Sequence, residues 1–132
     1  MTDDDGILIK YDNLMDKFKF EKLKIWNKAM DLGEDINKLI EKFPQKELYN
    51  LSSQLLRAGD SVALNISEGS IGQSNPEQYK FIGYSIRSLA EVVTCLHKAK
   101  RRNYLNKDEF ETYYNEAFHL MNMLHAFRNK LG

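Results

Sequence analysis

Apolar residues recur at intervals of three and four through most of the chain, which is the spacing of one helix face. Pro44 interrupts the first such segment, and a loop around Gly72 separates the second from the third. These breaks predict four helices, over about residues 20–43, 46–68, 76–102 and 107–131. No alternating strand pattern accompanies them. Because short connections place consecutive helices antiparallel, the sequence predicts an all-α fold, an antiparallel up-down-up-down four-helix bundle.

Residues that commonly cap helices lie at several of these predicted ends. Gly69 is placed to cap the second helix at its C-terminus. Asn75 is the predicted N-cap of the third helix, with Gln78 at the position of a capping-box partner. Asn106 and Glu109 have the spacing of a capping box at the start of the fourth helix.

The chain length of 132 residues suits one domain, which we place at residues 18–132 behind a flexible acidic arm of residues 1–17. Lysine and arginine number 19, as do aspartate and glutamate, so no global field attracts nucleic acid or an anionic membrane. The one cysteine, Cys95, allows no intrachain disulfide. No apolar run approaches membrane-spanning length, and we expect a cytoplasmic protein with no membrane partner.

Helices 3 and 4 each carry a second apolar stripe beside the one that a bundle core requires. The extra positions are Phe81, Tyr84, Val92, Cys95 and Ala99 on helix 3, and Tyr114, Phe118 and Met121 on helix 4. A second stripe must be exposed or must meet another subunit, so we predict a homo-oligomer. The alternative is that neighbouring helices and the N-terminal arm cover these wide stripes.

One face of helix 2 is polar although it borders the apolar seam. Its members are Arg57, Ser61, Asn65 and Glu68. Ser88 and Glu91 of helix 3 are spaced to face them, and small residues such as Gly59 and Ser85 would let the two helices approach closely. Because an unpaired polar group in this position costs about 1–3 kcal/mol, we interpret the six polar residues as an interhelical network.

The sequence offers no evident catalytic, metal or cofactor site. Di-iron bundles use a Glu-x-x-His pair on each of two helices, whereas this chain has one such pair, Glu116 and His119. No phosphate-binding loop, dinucleotide fingerprint or nucleophile elbow is present. We therefore predict a protein that is not an enzyme and that uses no metal and no cofactor.

The one concentrated basic run lies at the end of helix 3. Its candidate nucleic-acid-binding residues are Lys98, Lys100, Arg101 and Arg102. Tyr104 follows closely and could stack on a base, or it could pack under a turn. The alternative for the cations is that they stabilise the helix C-terminus through the helix dipole. A second basic stretch, residues 17–28, belongs to the opposite end of the predicted bundle.

Several motifs together resemble a known family. They are QLLRAGDSVALNISEG at residues 54–69, F-x-x-L-x-x-W-x-x-A at residues 20–29, Phe43-Pro44 and S-L-A-E at residues 88–91. This combination resembles the four-helix-bundle family encoded in intervening sequences of large-subunit ribosomal RNA genes, often described as ribosomal-protein-like. That family is similar in fold to the accessory variability determinants of diversity-generating retroelements.

The resemblance implies a bundle that assembles into a ring, typically a homopentamer, without established enzymatic activity. The retroelement relatives are thought to bind nucleic acid and a reverse transcriptase through a strongly basic surface. This chain differs from those relatives in charge, because its net charge is zero. It also departs at Arg87, where glycine is common, and at Ser85, where alanine is common. We predict a module that binds RNA or DNA through basic patches repeated around a ring. The alternative is a scaffold for a protein partner.

Overall fold

The structure is a computed structural model that describes residues 17–72 and 74–132. Within these ranges the α-helices are α1 (Lys24–Leu39), α2 (Leu51–Ile71), α3 (Asn75–Arg101) and α4 (Lys107–Leu131). Short 3-10 turns precede and follow α1 and lie before α2, at Lys19–Lys22, Ile40–Lys42 and Gln45–Glu47. The described ranges contain no strand, and the predicted all-α four-helix bundle is confirmed. The predicted acidic arm lies outside the described residues except for Lys17.

Contacts between helix ends show which connections lie together. Lys42, just after α1, forms an ion pair with Glu109 in the first turn of α4. The connection from α1 to α2 therefore lies beside the connection from α3 to α4, at what we call the loop end of the bundle. At the opposite end, Arg128 near the end of α4 donates from Nε to the carbonyl of Tyr79 near the start of α3, over 3.1 Å.

The apolar seams of all four helices meet in one core, in which α2 and α3 make the most extensive contact. The largest fully buried side chains of the core are Ile25, Leu32, Ile36, Leu51, Leu55, Val62, Ile66, Ile82, Leu89, Leu96, Leu120 and Leu124. Within each helix these side chains are spaced four or seven positions apart, which is the spacing of one helix face, so burial of apolar surface stabilises that face.

The second helix begins later than predicted. Residues Gln45–Glu47 form a 3-10 turn, and α2 starts only at Leu51. Asn50 has φ −127° and ψ −103°, which no helix continues through. The carboxylate of Glu47 accepts hydrogen bonds from the Asn50 side chain at 3.1 Å and from the Leu51 amide at 3.4 Å. A buried acidic side chain thus replaces the helical turn that periodicity indicated.

Gly69 is not a C-cap, because α2 continues past it to Ile71. A Cβ atom on Gly69 would lie 2.7 Å from Cβ of Phe81 and 3.4 Å from the Gln78 backbone. Glycine is therefore needed here because α3 passes directly against α2, not because the helix ends.

The N-cap of α3 is Ser74, one residue before the predicted Asn75. The Ser74 hydroxyl accepts from the Glu77 amide at 3.3 Å, while Gln78 is buried near Gly69 instead of joining a capping box. At α4 the prediction is confirmed: Asn106 accepts from the Glu109 amide at 2.8 Å. The Glu109 side chain in turn accepts from the Asn106 amide at 3.0 Å.

Two buried helical glycines, Gly69 and Gly33, provide a matched test of the close approach of α3 to α2 at Gly69. We expect Gly69→Ala to destabilise the protein by about 2–3 kcal/mol, because the atoms it meets belong to backbone and to a Cβ, which cannot move aside. Gly33→Ala should be neutral or stabilising by up to about 1 kcal/mol, since its Cβ would meet no atom closer than 3.6 Å. Urea unfolding followed by circular dichroism measures both. Equal effects of the two substitutions would contradict this explanation.

Candidate nucleic-acid interface

The three cations Lys98, Lys100 and Arg101 lie in the last turn of α3 and are exposed at the loop end. The ammonium of Lys100 lies 4.7 Å from the ring centroid of Phe110, which orients it without neutralising it. Within the described residues, no acidic side chain forms an ion pair with any of the three. Their position favours the helix dipole, and their exposure leaves them available to phosphate.

Arg102, the fourth predicted cation, is already engaged. One of its terminal guanidinium nitrogens lies 3.1 Å from Oε2 of Glu47, and the Tyr104 hydroxyl donates to the same oxygen over 2.6 Å. Glu47 is only 3% exposed. The Tyr104 hydrogen bond is the main influence that lowers the pKa of Glu47, opposed by burial and assisted by the Leu51 amide and Arg102. This contact ties the two loop-end connections together.

Tyr104 does not present a free ring for stacking, because it also packs on Phe43 with ring centroids 5.2 Å apart. It packs beneath the turn, as the alternative interpretation expected. The exposed aromatic residue of the loop end is instead Tyr49, which is 92% exposed. It lies two residues after Glu47, the residue that contacts Arg102. Sequence reasoning missed Tyr49 because the helical period placed it inside a helix, whereas it precedes α2.

The polar face of α2 meets α3 through fewer residues than predicted. The hydroxyls of Ser61 and Ser88 form a hydrogen bond between the helices. A second bond runs from the fully buried Ser85 hydroxyl to the Val62 carbonyl, over 2.9 Å. Asn65 instead donates to the carbonyl of Ser61 in its own helix, at 2.9 Å. Within the described residues, the side-chain hydrogen bonds between α2 and α3 are therefore made by serines, beside the apolar packing of the core.

The other members of the predicted network do not join the two helices. Nε of Arg57 donates to the carbonyl of Ser53, within α2, over 3.4 Å. Glu68 and Glu91 are exposed, and neither forms a hydrogen bond or ion pair within the described residues. These charged side chains remain in solvent because burying them would cost more free energy than a single ion pair would recover.

An acidic groove separates α1 from α4. It has a volume of about 620 Å³, and its lining residues are Lys28, Asp31, Glu34, Asp35, Lys38, Glu116, His119 and Leu120. Burial, followed by the charge and hydrogen bond of Asp35 and the charge of Asp31, raises the pKa of Glu116 to about 7. Glu116 is thus half-buried beside other carboxylates. Among the described residues, no three or more His, Cys, Asp or Glu side chains are grouped to hold a metal ion.

An apolar surface lies between α3 and α4. Phe118 is 58% exposed and Tyr114 38% exposed, and they border a cavity of about 250 Å³ together with Val93 and Met121. On α3 the second stripe is mostly core, because Val92, Cys95 and Ala99 are buried. The second stripe is therefore exposed on α4. On α3 it is exposed at Tyr84, which is 39% exposed.

These features define a four-helix bundle with a basic loop end and an apolar surface on its fourth helix. The family model described as the 23S rRNA-intervening sequence protein matches residues 21–126. The chain belongs to this family, which confirms the family resemblance that the motifs indicated. None of the described helices combines the length and apolar character needed to cross a bilayer.

A solved structure from Bacteroides thetaiotaomicron is similar to this chain, with a TM-score of 0.74 and 20% sequence identity. It is described as a protein with unknown function from the S23 ribosomal protein family, and the match covers 80% of this chain and 95% of that chain. At this identity the likeness shows a shared fold. No curated protein matches the chain.

The acidic groove predicts an unusual dependence of stability on pH. Folded Glu116 keeps its proton up to about pH 7, whereas an ordinary glutamate loses it near 4.5. The folded state therefore binds the proton more tightly, and rising pH across this interval lowers the free energy of unfolding. Glu116→Gln should remove this loss of stability at high pH. At pH 8 it should stabilise the protein by about 1 kcal/mol after allowance for solvent screening.

Thermal unfolding of both proteins between pH 4.5 and 8 measures this effect. Glu111→Gln is the control, because it removes an exposed carboxylate from the same helix. A difference between wild type and Glu116→Gln that does not grow with pH would contradict the proton-binding explanation.

Proposed function

We propose that this protein is a non-enzymatic, homo-oligomeric module that binds RNA or DNA through the loop end of its bundle. Lys98, Lys100 and Arg101 would contact phosphates, and Tyr49 would stack on a base. The observation that supports this most is the 92% exposed ring of Tyr49 at the same end as three cations that have no acidic partner within the described residues. Exposed aromatic and basic residues together are what a single-stranded nucleic acid requires.

The zero net charge of the chain is compatible with such a site. Electrostatic attraction acts over roughly 8 Å at physiological ionic strength, so the local arrangement of charge decides the binding. At the loop end, Glu47 neutralises Arg102, whereas Lys98, Lys100 and Arg101 form no ion pair with any described residue. Several copies in one assembly would present this end repeatedly, which converts a weak contact into a multivalent one.

The exposed part of α4 supports self-association. Phe118 and Tyr114 are large apolar side chains that border a cavity on the surface of one chain. An aromatic side chain gains free energy when it is inserted into a matching apolar cavity of another subunit. We infer that this surface forms the contact between copies. We also infer that the assembly is a pentamer, which is the number of copies that the family resemblance implies.

The basic residues predict the salt dependence of binding. Replacing Lys98, Lys100 and Arg101 with glutamine should weaken binding of a labelled single-stranded RNA. It should also reduce the slope of log affinity against log salt by roughly 2 for each engaged subunit. Fluorescence anisotropy over a range of potassium chloride concentrations measures both. The control replaces Lys17, Lys19 and Lys28, which carry the same charge near the opposite end.

Tyr49 provides the second half of the same test. Tyr49→Ala should lower affinity for the single-stranded RNA by roughly fivefold to a hundredfold, while Tyr49→Phe keeps the ring and should keep the affinity. Absence of binding by wild type at low salt would overturn the proposal. So would equal losses from the loop-end triple and the control triple.

The surface of α4 predicts the oligomeric state. Phe118→Asp should dissociate the assembly, because a charge would be buried where an apolar ring was. Ile71→Asp is the control, since Ile71 is 61% exposed and Phe118 is 58% exposed, but Ile71 lies away from this surface. Light scattering after size exclusion measures the mass in multiples of the 15.4 kDa chain. A monomeric wild type would contradict the proposal.

The second candidate function is a scaffold that holds a protein partner without binding nucleic acid. The zero net charge and the exposed apolar surface of α4 favour it. It predicts an oligomer that fails the RNA titration and is purified from its native cell with a protein. The anisotropy experiment therefore separates the two candidates.

A further inference from the structure

A groove of about 350 Å³ lies between α1 and α2, away from the α3 cations and the α4 surface. Its apolar walls are formed by Phe20, Trp26, Ala29, Met30, Ala63 and Leu64. Met30 is 41% exposed and Leu64 58% exposed, so the groove is open to solvent on one side. Its size is within the range of small-ligand sites, which are concave and mostly apolar.

Two glycines account for the shape of this groove. Gly33 and Gly59 face each other across the two helices and contribute no side chain to it. A Cβ on Gly33 would lie 3.6 Å from Oδ1 of Asp60, so this carboxylate reaches across from α2 to the backbone of α1. The carboxylate of Asp60 thus lies between the two helices at the edge of the apolar walls, where it remains exposed to solvent.

Among the described residues that line the groove, two are carboxylates and none is a cation. Asp60 and Glu34 both line it, and within the described residues neither forms a hydrogen bond or an ion pair. Burial raises the pKa of Asp60, and the nearby charge of Glu34 raises it further. Because two carboxylates repel each other beside an apolar wall, a cation placed between them would be favourable.

We propose that this groove binds an aliphatic cation, meaning an alkyl chain that ends in an ammonium or guanidinium group. The alkyl chain would lie along Ala63 and Leu64, and Trp26 would cover it from α1. The charged head would sit against Asp60, with Glu34 beside it. An anion of the same length is repelled by both carboxylates, and a neutral chain leaves their charges uncompensated.

Trp26 makes this proposal directly measurable, because it is the single tryptophan of the chain and lines the groove. Tryptophan fluorescence of the full chain is titrated at pH 7.5 with hexylamine, 1-hexanol and hexanoate, which share their alkyl chain and differ in charge. We expect a saturable change with hexylamine, and binding of 1-hexanol roughly threefold to tenfold weaker. Hexanoate should be the weakest of the three.

The carboxylate variant tests the assignment of the charge. Asp60→Asn should remove most of the preference for hexylamine over 1-hexanol, which a merely structural role of Asp60 would not do. Glu68→Gln is the matched control, because it removes an exposed carboxylate from the same helix outside this groove. Gly33→Ala narrows the groove and should weaken hexylamine and 1-hexanol alike.

A final titration identifies the source of the cation. Binding of Nα-acetyl-lysine methylamide as tight as that of hexylamine would indicate a lysine side chain of a partner protein. Binding of hexylamine alone would indicate a free amine. The proposal is overturned if 1-hexanol binds as tightly as hexylamine, or if Asp60→Asn keeps the full preference for the amine.

Discussion

The close contact of α2 with α3 is the constraint on which the rest of the structure depends. Ser85 is fully buried, and its hydroxyl must be satisfied, which the carbonyl of Val62 does over 2.9 Å. This bond and the Ser61–Ser88 contact set the register of the two helices. Two turns further along α2, Gly69 allows the α3 backbone to pass without a side chain between them. Small residues and interhelical hydrogen bonds thus let α2 and α3 lie closer together than larger apolar side chains would allow.

That register determines which residues reach each surface. It carries the end of α3 to the loop end, where Arg102 meets Glu47 and the cations just before it remain exposed. The outer side of α2 is left for α1, and the glycine pair there opens a groove that contains Asp60. The outer side of α3 packs on α4, whose Phe118 stays exposed. The packing of α2 on α3 therefore positions the basic loop end, the groove between α1 and α2, and the apolar surface of α4.

The features that sequence reasoning predicted well are those encoded locally. Helix periodicity and the Asn106–Glu109 capping box depend on residues a few positions apart, and both are confirmed. The features that it missed depend on distant partners. Gly69 looks like a C-cap until α3 lies against it, and Glu47 looks like a helical residue until Tyr104 and Arg102 bind it. The exposure of Tyr49 follows from that same distant contact, so periodicity could not indicate it.

The most direct measurement of the central claim is a disulfide between α2 and α3. In the double variant Ser61→Cys/Ser88→Cys, we expect rapid air oxidation to an intramolecular disulfide, seen by intact mass and by the loss of two of the three thiols, with the buried Cys95 as the third. The cross-link should raise the free energy of unfolding by about 2–4 kcal/mol with the helical spectrum unchanged. Failure to oxidise, or a disulfide that forms only between molecules, would show that the two helices are not held together at these serines.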